Sequence, residues 1–538
     1  MGDFLLNSEN SLKAVSLTSH CSHHLLHSYG SSKSELMTNN LINIIFGMKV
    51  RQARMETGLT LSEFATQCEL SPSYVTEIEK GRKYPRGDKI LRMAEVLSKP
   101  YDELVSIALS PSMTYLSTTL KSMTFQRFPF DEFGLEMGDL VTLLTREPEK
   151  ASALLHAVLE IGRRYGLHEE DFLRAALRSY QEIHENYFQD LEDAAQAFIE
   201  RYGPAAGLTD DPPVSKEALQ TILQNEYGYE LDMETIQEQP ALTKYRAVFF
   251  EGKNPRLLIN SALSTRQVKF ILAREVGYQY LKLKERSFAS TPDQINSFQQ
   301  ILNDFKAAYF GGVLLMPRHH MLADLQHLFE QTTWSPHLML AMLDKYHVTP
   351  EMLFYRFSEL IPQFFGVKLH FLRFHHRENS GTYQLIKQLN MNQLIVPSGI
   401  GLLEHYCRRW LSVRLLREME DMHPTPTASD ESIVGVQMSE FVESQDRFLC
   451  LGFARELSLS PGVTSSVIIG FREEPDLRNT IRFVQDPAIP QVIINETCER
   501  CPLTAEQCRE RAVAPSILQE QQKQRDRKLA LMEIQNQA

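Results

Sequence analysis

The sequence predicts a multidomain protein, mainly α with α+β parts, on three observations. At 538 residues the chain is too long for one hydrophobic core, so three or four domains are expected. From residue 41 into the 360s, apolar residues recur three and four apart, the period of amphipathic helices. Beyond Phe364 the pattern turns strand-rich, as in VKLHFLRF, SSVIIGF and QVIINE.

Composition narrows the class. Hydrophobic residues make up 43% and charged residues 23% of the chain, the balance of a soluble globular protein. No apolar run is long enough to span a bilayer and no secretory signal opens the chain, so a cytoplasmic, non-membrane protein is expected. A net charge of −12 argues against coating nucleic acid along the whole surface. It leaves room for one small DNA-binding domain, because docking follows the local field. The seven cysteines read better as metal ligands or redox groups than as disulfides.

Residues 1–40, rich in Ser, Asn and His, read as a disordered leader, and Cys21, His23, His24 and His27 fall inside it. Met37 and Met48 are alternative starts. Residues 41–107 hold five short helical patterns. Residues 114–205 read as a helical spacer or dimerisation scaffold, with runs such as ALLHAVLEIGRRYGL and EDAAQAFIERYG. The Thr209–Pro213 break opens a mixed α+β domain with following helices, residues 211–362. Residues 363–515 read as an α/β sensor domain with a loop at His423–Ser432, and 516–538 as a polar tail, helical or disordered.

Within residues 46–97, Thr60 and Glu63 have capping-box spacing. Phe64 and Ala65 face the core, and Ala65 is small where two helices cross. Ser71 caps a second helix with Pro72 at its first position. Val75 and Ile78 take its buried face, leaving Ser73, Thr76 and Glu77 to reach base edges. From Lys80 to Arg92 six basic residues stand against one acid, Asp88. Of these, Lys80, Arg82, Lys83 and Arg86 are placed to meet phosphates of double-stranded DNA. The segment resembles the Cro/repressor-type helix-turn-helix of the XRE family, including Ile78-Glu79-x-Gly81-x-x-x-Pro85. Two positions depart from that pattern: Glu69 stands where Gly is common in the turn, and Leu61 where Gln is frequent.

Further on, the run TRQVKFILAREVGYQYLKL holds Arg274-Glu275-Val276-Gly277-Tyr278. It resembles the helix in which ImmA/IrrE-type metallopeptidases carry His-Glu-x-x-His, and DFKAAYFGGVLLMP resembles the segment supplying their acidic third ligand, here Asp304. A zincin needs two imidazoles at i and i+4 on one helix face. Arg274 has no lone pair to give and Tyr278 is an uncommon ligand. The expectation is a degenerate zincin-like domain without catalytic residues, in which Arg274 replaces the lost cation and pairs with Asp304.

Near the C-terminal end, Cys498-x-x-Cys501 and Cys508 have spacing that suits zinc or an iron–sulfur cluster, with a redox disulfide as the alternative. Cys407 is the first candidate for a fourth ligand, and Cys450 reads as core. This ending, with Cys407-x-x-Trp410 and Cys508-x-x-Arg511-Ala512, resembles the sensor domain of the short-chain fatty acyl transcriptional regulators, which share this domain order. The resemblance implies a regulator of propionate- or glyoxylate-type carbon metabolism that binds a short-chain acyl-CoA and, in some members, carries an iron–sulfur cluster; a homodimer is expected besides. Phosphates of such an effector need cations. Two groups offer them: Arg373, His375, His376 and Arg377 after a strand, and Arg408, Arg409, Arg414 and Arg417 on a helix. The alternative function is an ImmA/IrrE-type metallopeptidase that cleaves a repressor.

Overall fold

The computed structural model describes residues 42–43, 45–106, 132, 169–209, 211–289, 295–378, 380–394, 404–422 and 432–537. The leader with Cys21, His23, His24, His27 and Met37, the first part of the spacer, and most of the His423–Ser432 loop lie outside the described residues. The chain divides into two compact units, residues 1–126 with 130–160, and residues 127–129 with 161–538.

In the first unit, α1 (45–56) is followed by α2 (Leu61–Gln67), α3 (Pro72–Glu79), α4 (Gly87–Val96) and α5 (Tyr101–Val105). Short-range chemistry sets the starts of α2 and α3. Thr60 and Glu63 form the reciprocal capping box of α2, and the Ser71 side chain accepts from the Tyr74 amide ahead of Pro72. Phe46, Val50, Phe64, Ala65, Val75, Ile78, Ile90 and Met93 bury one shared core. Glu69 takes the left-handed backbone, φ 55°, where glycine is usual, and ion-pairs with Arg92.

The second unit opens with α6 (Glu169–Ile183), α7 (Gln189–Ala206) and α8 (Lys216–Tyr227). Strands β1 (Glu230–Asp232), β2 (Ala247–Phe250) and β3 (Arg256–Ile259) follow, in the order β1-β3-β2. Helices α9 (Thr265–Tyr280) and α10 (Phe298–Leu315) come next, then α11 (Arg318–Glu330), α12 (Pro336–Tyr346) and α13 (Pro350–Phe365). Gly277 and Gly311 let α9 and α10 pack backbone to backbone. A Cβ on Gly277 would lie 2.9 Å from the Ala307 carbonyl, and one on Gly311 3.0 Å from the Arg274 nitrogen. This contact sets Arg274 and Tyr278 beside Asp304.

A six-stranded sheet follows, ordered β5-β4-β8-β7-β6-β9: β4 (Leu369–Arg377), β5 (Tyr383–Asn390), β6 (Ser432–Phe441), β7 (Arg447–Glu456), β8 (Val463–Arg472) and β9 (Gln491–Ile494). Only the β6–β9 pair is parallel. Helix α14 (Leu411–Met422) covers one face, with Leu411 and Leu415 seated over Gly435 and Gly452. Helix α13 packs on the other, where Phe354 meets Phe453 and Tyr355 meets Phe371. Residues 516–537 form a helix, α15.

Two expectations need correction. Arg373, His375, His376 and Arg377 do not follow a strand but lie in β4, which stays paired with β8 as far as Arg377. Arg408 and Arg409 precede α14, and only Arg414 and Arg417 are on it.

One buried charge network ties the second unit together. The Arg356 guanidinium on α13 donates to Glu192 of α7 at 2.6 and 3.0 Å, to Glu359 at 2.8 Å and to the Met316 carbonyl at 3.1 Å. The Tyr309 hydroxyl of α10 adds a bond to Glu192 at 3.0 Å. One cation cannot neutralise two dry carboxylates. Burial, working against Arg356, pushes Glu359 up to about 8, so Glu359 carries a proton at neutral pH. Its folded value lies above its unfolded one, so the folded state keeps a proton that the unfolded state has lost. Stability therefore falls as pH rises through the interval between the ordinary carboxylate value and about 8. Glu359→Gln keeps the fold and flattens that fall, as chemical denaturation at pH 6 and pH 8 will read.

Candidate functional site

The three groups of residues singled out in the sequence fall at three places. On the helix-turn-helix, Ser73, Arg82, Lys83 and Arg86 are exposed, while Thr76, Glu77 and Lys80 are half-buried. Thr76 donates its hydroxyl to the Pro72 carbonyl at 2.9 Å, so its methyl group and the accepting side of its oxygen remain for an outside contact. Glu77 pairs with Arg82 at 3.2 Å. Lys89, on α4, sits 4.4 Å from the centre of the Tyr74 ring and Lys83 5.8 Å, so the base of α3 is a cation–aromatic platform. Glu79 points inward and binds Arg54 through both oxygens at 2.6 and 3.0 Å. It is a structural acid, which explains its place in the Ile-Glu-x-Gly element without any contact to DNA.

At the metallopeptidase-like position, Arg274 and Tyr278 share a face of α9. Arg274 donates to the Tyr278 hydroxyl at 3.0 Å and stands 3.4 Å from Asp304. Asp304 also accepts from Tyr278 and, at 2.9 Å, from Ser287. Glu275 is held by a residue that sequence reasoning misses, Arg286, at 2.6 and 2.9 Å. The Tyr229 hydroxyl adds a third bond at 3.2 Å. The Arg286 guanidinium also lies 3.7 Å from the Phe249 ring centre and 3.9 Å from that of Tyr278. The cavity beside Arg274, Glu275 and Arg286 is about 10 Å³, about the volume one water needs. These residues do not fit a catalytic metal ion: two guanidiniums satisfy the carboxylates that a cation would need.

The cysteine loop is pinned to the segment before α14. Tyr406 bridges Thr497, the Cys407 amide donates to the Glu496 carbonyl at 3.2 Å, and the Cys498 amide donates to the His405 carbonyl at 2.9 Å. His405 contacts Glu499 at 2.8 Å, and Arg500 holds Glu404 at 2.8 Å. Cys407, Cys498, Cys501 and Cys508 are all buried and free. Cys407 feels Cys498 and Cys501, and Cys501 feels Cys508 and Cys498. Among the described residues no three His, Cys, Asp or Glu side chains are arranged to hold a metal ion. The donor chemistry nevertheless suits one. Amides of Asn495 and Arg409 serve the Cys407 sulfur, that of Leu503 serves Cys501, and that of Ala512 reaches the Cys498 sulfur at 3.4 Å. Burial pushes Cys407 up to about 11 and raises Cys501, so without a cation these groups stay thiols. Cys450 instead lies on β7, bonded to Ser439 within the core.

The two cation groups also separate. His376 stacks on Tyr383 and contacts Glu420, and Arg408 lies over Tyr383. Arg409 is tied to the cysteine loop through Glu510 and the Gln507 carbonyl, and Arg414 pairs with Glu418. Arg377 is exposed.

Residues 50–104 match the family described as helix-turn-helix, and residues 230–358 the IrrE N-terminal-like domain. Control protein C.BamHI of Bacillus amyloliquefaciens is 36% identical over 70 residues, 13% of this chain and 85% of that protein. The solved structure of a Mycobacterium tuberculosis transcriptional regulator aligns over 62% of this chain and 92% of its own, with 16% identity and a TM-score of 0.41.

Breaking one partner of a buried ion pair leaves the other unpaired, at about 3–5 kcal/mol. Arg286→Ala carries that loss, because Glu275 is almost fully buried. Arg274→Ala loses less, because Tyr278 and Ser287 remain on Asp304. Equal shifts in the urea midpoints of the two variants would remove Arg286 from its assigned place.

Proposed function

From a chain that belongs to the XRE-type helix-turn-helix family and carries an IrrE-like domain, we propose a DNA-binding transcriptional regulator that answers to a small metabolite. The observation that carries this reading is the exposed end of α3. Ser73 is exposed there, its hydroxyl 3.2 Å from that of Ser71, and Arg82, Lys83 and Arg86 flank it as exposed cations. That is the division of labour of a docking helix, one face to the base edges and a basic margin to the phosphates. Control protein C.BamHI is by its name a control protein, and the same kind of role suits the helix-turn-helix here. A second copy of this chain, binding the other half of a two-fold operator, completes the proposed DNA complex.

A short-chain acyl-CoA is the proposed effector, with regulation of short-chain fatty-acid carbon metabolism as its purpose. The reading rests on the resemblance of the cysteine-bearing ending; the apolar cavity lined by Leu372, Trp410, Leu411, Phe441, Phe448 and Ile494 among others is about 20 Å³, room for one small group and not for a CoA. The thiols of Cys407, Cys498, Cys501 and Cys508 are the proposed ligands of a zinc ion or iron–sulfur cluster, which when bound supplies a rigid cross-link and, for a cluster, a redox centre. Residues 404–407 and 496–500 already hold one another by backbone bonds. The peptidase alternative is weaker, because guanidiniums occupy the position where its metal chemistry would need open ligands, and no zinc-dependent peptidase activity is expected. Among the described residues no helix is long and apolar enough to cross a membrane.

Two experiments test the reading. Replacing both Lys83 and Arg86 with Ala weakens binding to specific and random duplex alike and reduces the salt slope by about 2, roughly 0.9 for each phosphate that is no longer neutralised. Ser73→Ala changes sequence preference instead. Neutrality of the double variant at low salt rejects the docking model. For the thiols, Cys501→Ser purified without oxygen loses bound iron or zinc, because thiolate ligands work as a set. Wild-type protein that carries neither metal rejects the cofactor.

A further inference from the structure

Beside the first turn of α13, three guanidinium groups gather around one carboxylate. Arg455 of β7 grips Glu351 of α13, with Nε 3.1 Å from both oxygens and Nη2 3.0 Å from Oε2. Arg373 of β4 stands 3.8 Å from the same carboxylate and donates Nε to Ser465 of β8 at 3.2 Å. Arg246, at the entry to β2, is the third: Arg373 and Arg455 repel it and Glu351 attracts it. His375 lies among the same four charges. The strand register explains the grouping, since His375, Ser465 and Arg455 are direct partners across β4, β8 and β7 and so share one face of the sheet. That face is the one packed on α13, opposite the α14 side.

The charges there do not balance. Glu351 is engaged by Arg455 and Arg373, while among the described residues no ion pair or hydrogen bond reaches the Arg246 side chain. The His375 Nε2 is buried without a hydrogen-bond partner. Burial lowers Arg246 to about 10 and His375 to about 4. A guanidinium at that value still keeps its proton at neutral pH, and the imidazole is neutral with one N–H to give. Arg246, Arg373 and His375 are half-buried, and several cations against one anion in a partly covered cluster cost free energy until a counter-charge arrives. Guanidinium forks match the two oxygens of a phosphoryl or carboxylate group.

We propose that Arg246, Arg373, Arg455 and His375 form a binding site for a compact dianion, a phosphate monoester or a small dicarboxylate, between the IrrE-like domain and the six-stranded sheet. Arg246, Arg373 and Arg455 exceed Glu351 by two positive charges, and Lys387, the partner of Arg373 across β4 and β5, adds to that excess, so the ligand carries at least two negative charges. Arg246 and the unpartnered His375 nitrogen are the groups left to contact it, with Arg455 held in place by Glu351. The cluster splits the cations of β4 by face: Arg373 and His375 serve this site, and His376 is committed to Tyr383 and Glu420 on the other side.

Calorimetry and thermal unfolding of the full chain, titrated with inorganic phosphate and separately with malonate at fixed ionic strength, test the site. Saturable binding of one anion per chain with a raised Tm is expected, and which anion binds identifies the phosphoryl or the dicarboxylate source. Arg246→Gln weakens that binding at least tenfold while its anion-free Tm stays level or rises, because the substitution removes an unbalanced charge. His375→Gln, which leaves all three guanidiniums in place, weakens it as well, by a smaller factor. Arg525→Gln, on the exposed α15, binds as wild type. Failure of both anions to saturate, or equal binding by Arg246→Gln and wild type, overturns the proposal. The site does not rest on the acyl-CoA reading: loss of the acyl-CoA response with phosphate or malonate binding intact rejects that reading alone.

Discussion

A guanidinium cannot shed its proton inside a protein, and this one constraint organises the larger unit. Arg356, Arg286 and Arg455, taken out of water, each have an acid brought to them. Arg356 draws Glu192 of α7 onto α13 across 164 positions of sequence, and with it Tyr309 of α10. Arg286 draws the segment after α9 back over Glu275, and Arg455 draws the six-stranded sheet onto Glu351 at the start of α13. The helices ahead of β1, the IrrE-like domain and the sheet are thus joined by charge pairs that are expensive to half-break. Apolar contacts such as Phe354 on Phe453 fill the space between them and do not by themselves select one geometry.

The same chemistry explains the altered metallopeptidase-like site. A metal ion and a guanidinium both neutralise carboxylates, but only the metal has open coordination positions that can polarise a water or a carbonyl. With Arg286 on Glu275 and Arg274 near Asp304, α9 and α10 keep the close approach that Gly277 and Gly311 permit, and guanidiniums stand where a metal would need open coordination. What persists is a stiff two-helix platform with Asp304 bonded on several sides.

Legibility in the sequence follows the range of the interactions. The caps at Thr60 and Ser71 are readable because each partner lies within three residues. The proximity of Arg274 to Asp304 is readable because one helix period and a resemblance place both. Arg286 is not, since it sits in a coil whose path back to Glu275 is set by packing. Arg54 and Glu79, 25 residues apart, are hidden for the same reason. The charges in LHFLRFHHR mislead, because clustered cations suggest an exposed end beyond a strand. In fact β4 has a paired neighbour on each side and a helix on each face, so its side chains are buried or half-buried up to His376 and only Arg377 is exposed. The cysteine spacing is visible, but not the pinning of 496–500 to 404–407, which depends on contacts 94 and 96 positions apart.

That pinning decides where a change at the thiols is felt. The Cys407 amide is fixed to Glu496, and three residues later Trp410 donates its indole N–H to the Asn495 carbonyl at 2.7 Å. Trp410 and Leu411 then line the apolar cavity beneath α14, and Leu411 and Leu415 sit over glycines of β6 and β7 with no slack. The sulfurs are thus joined through short bonds to the Trp410 ring and the first turn of α14. A ligand that fills the cavity pushes on the same two elements from the other side. Two ligands that act on one stiff element are energetically linked, and each alters the affinity for the other by the same factor. Neither alters DNA affinity unless the helix-turn-helix also distinguishes the two positions of that element.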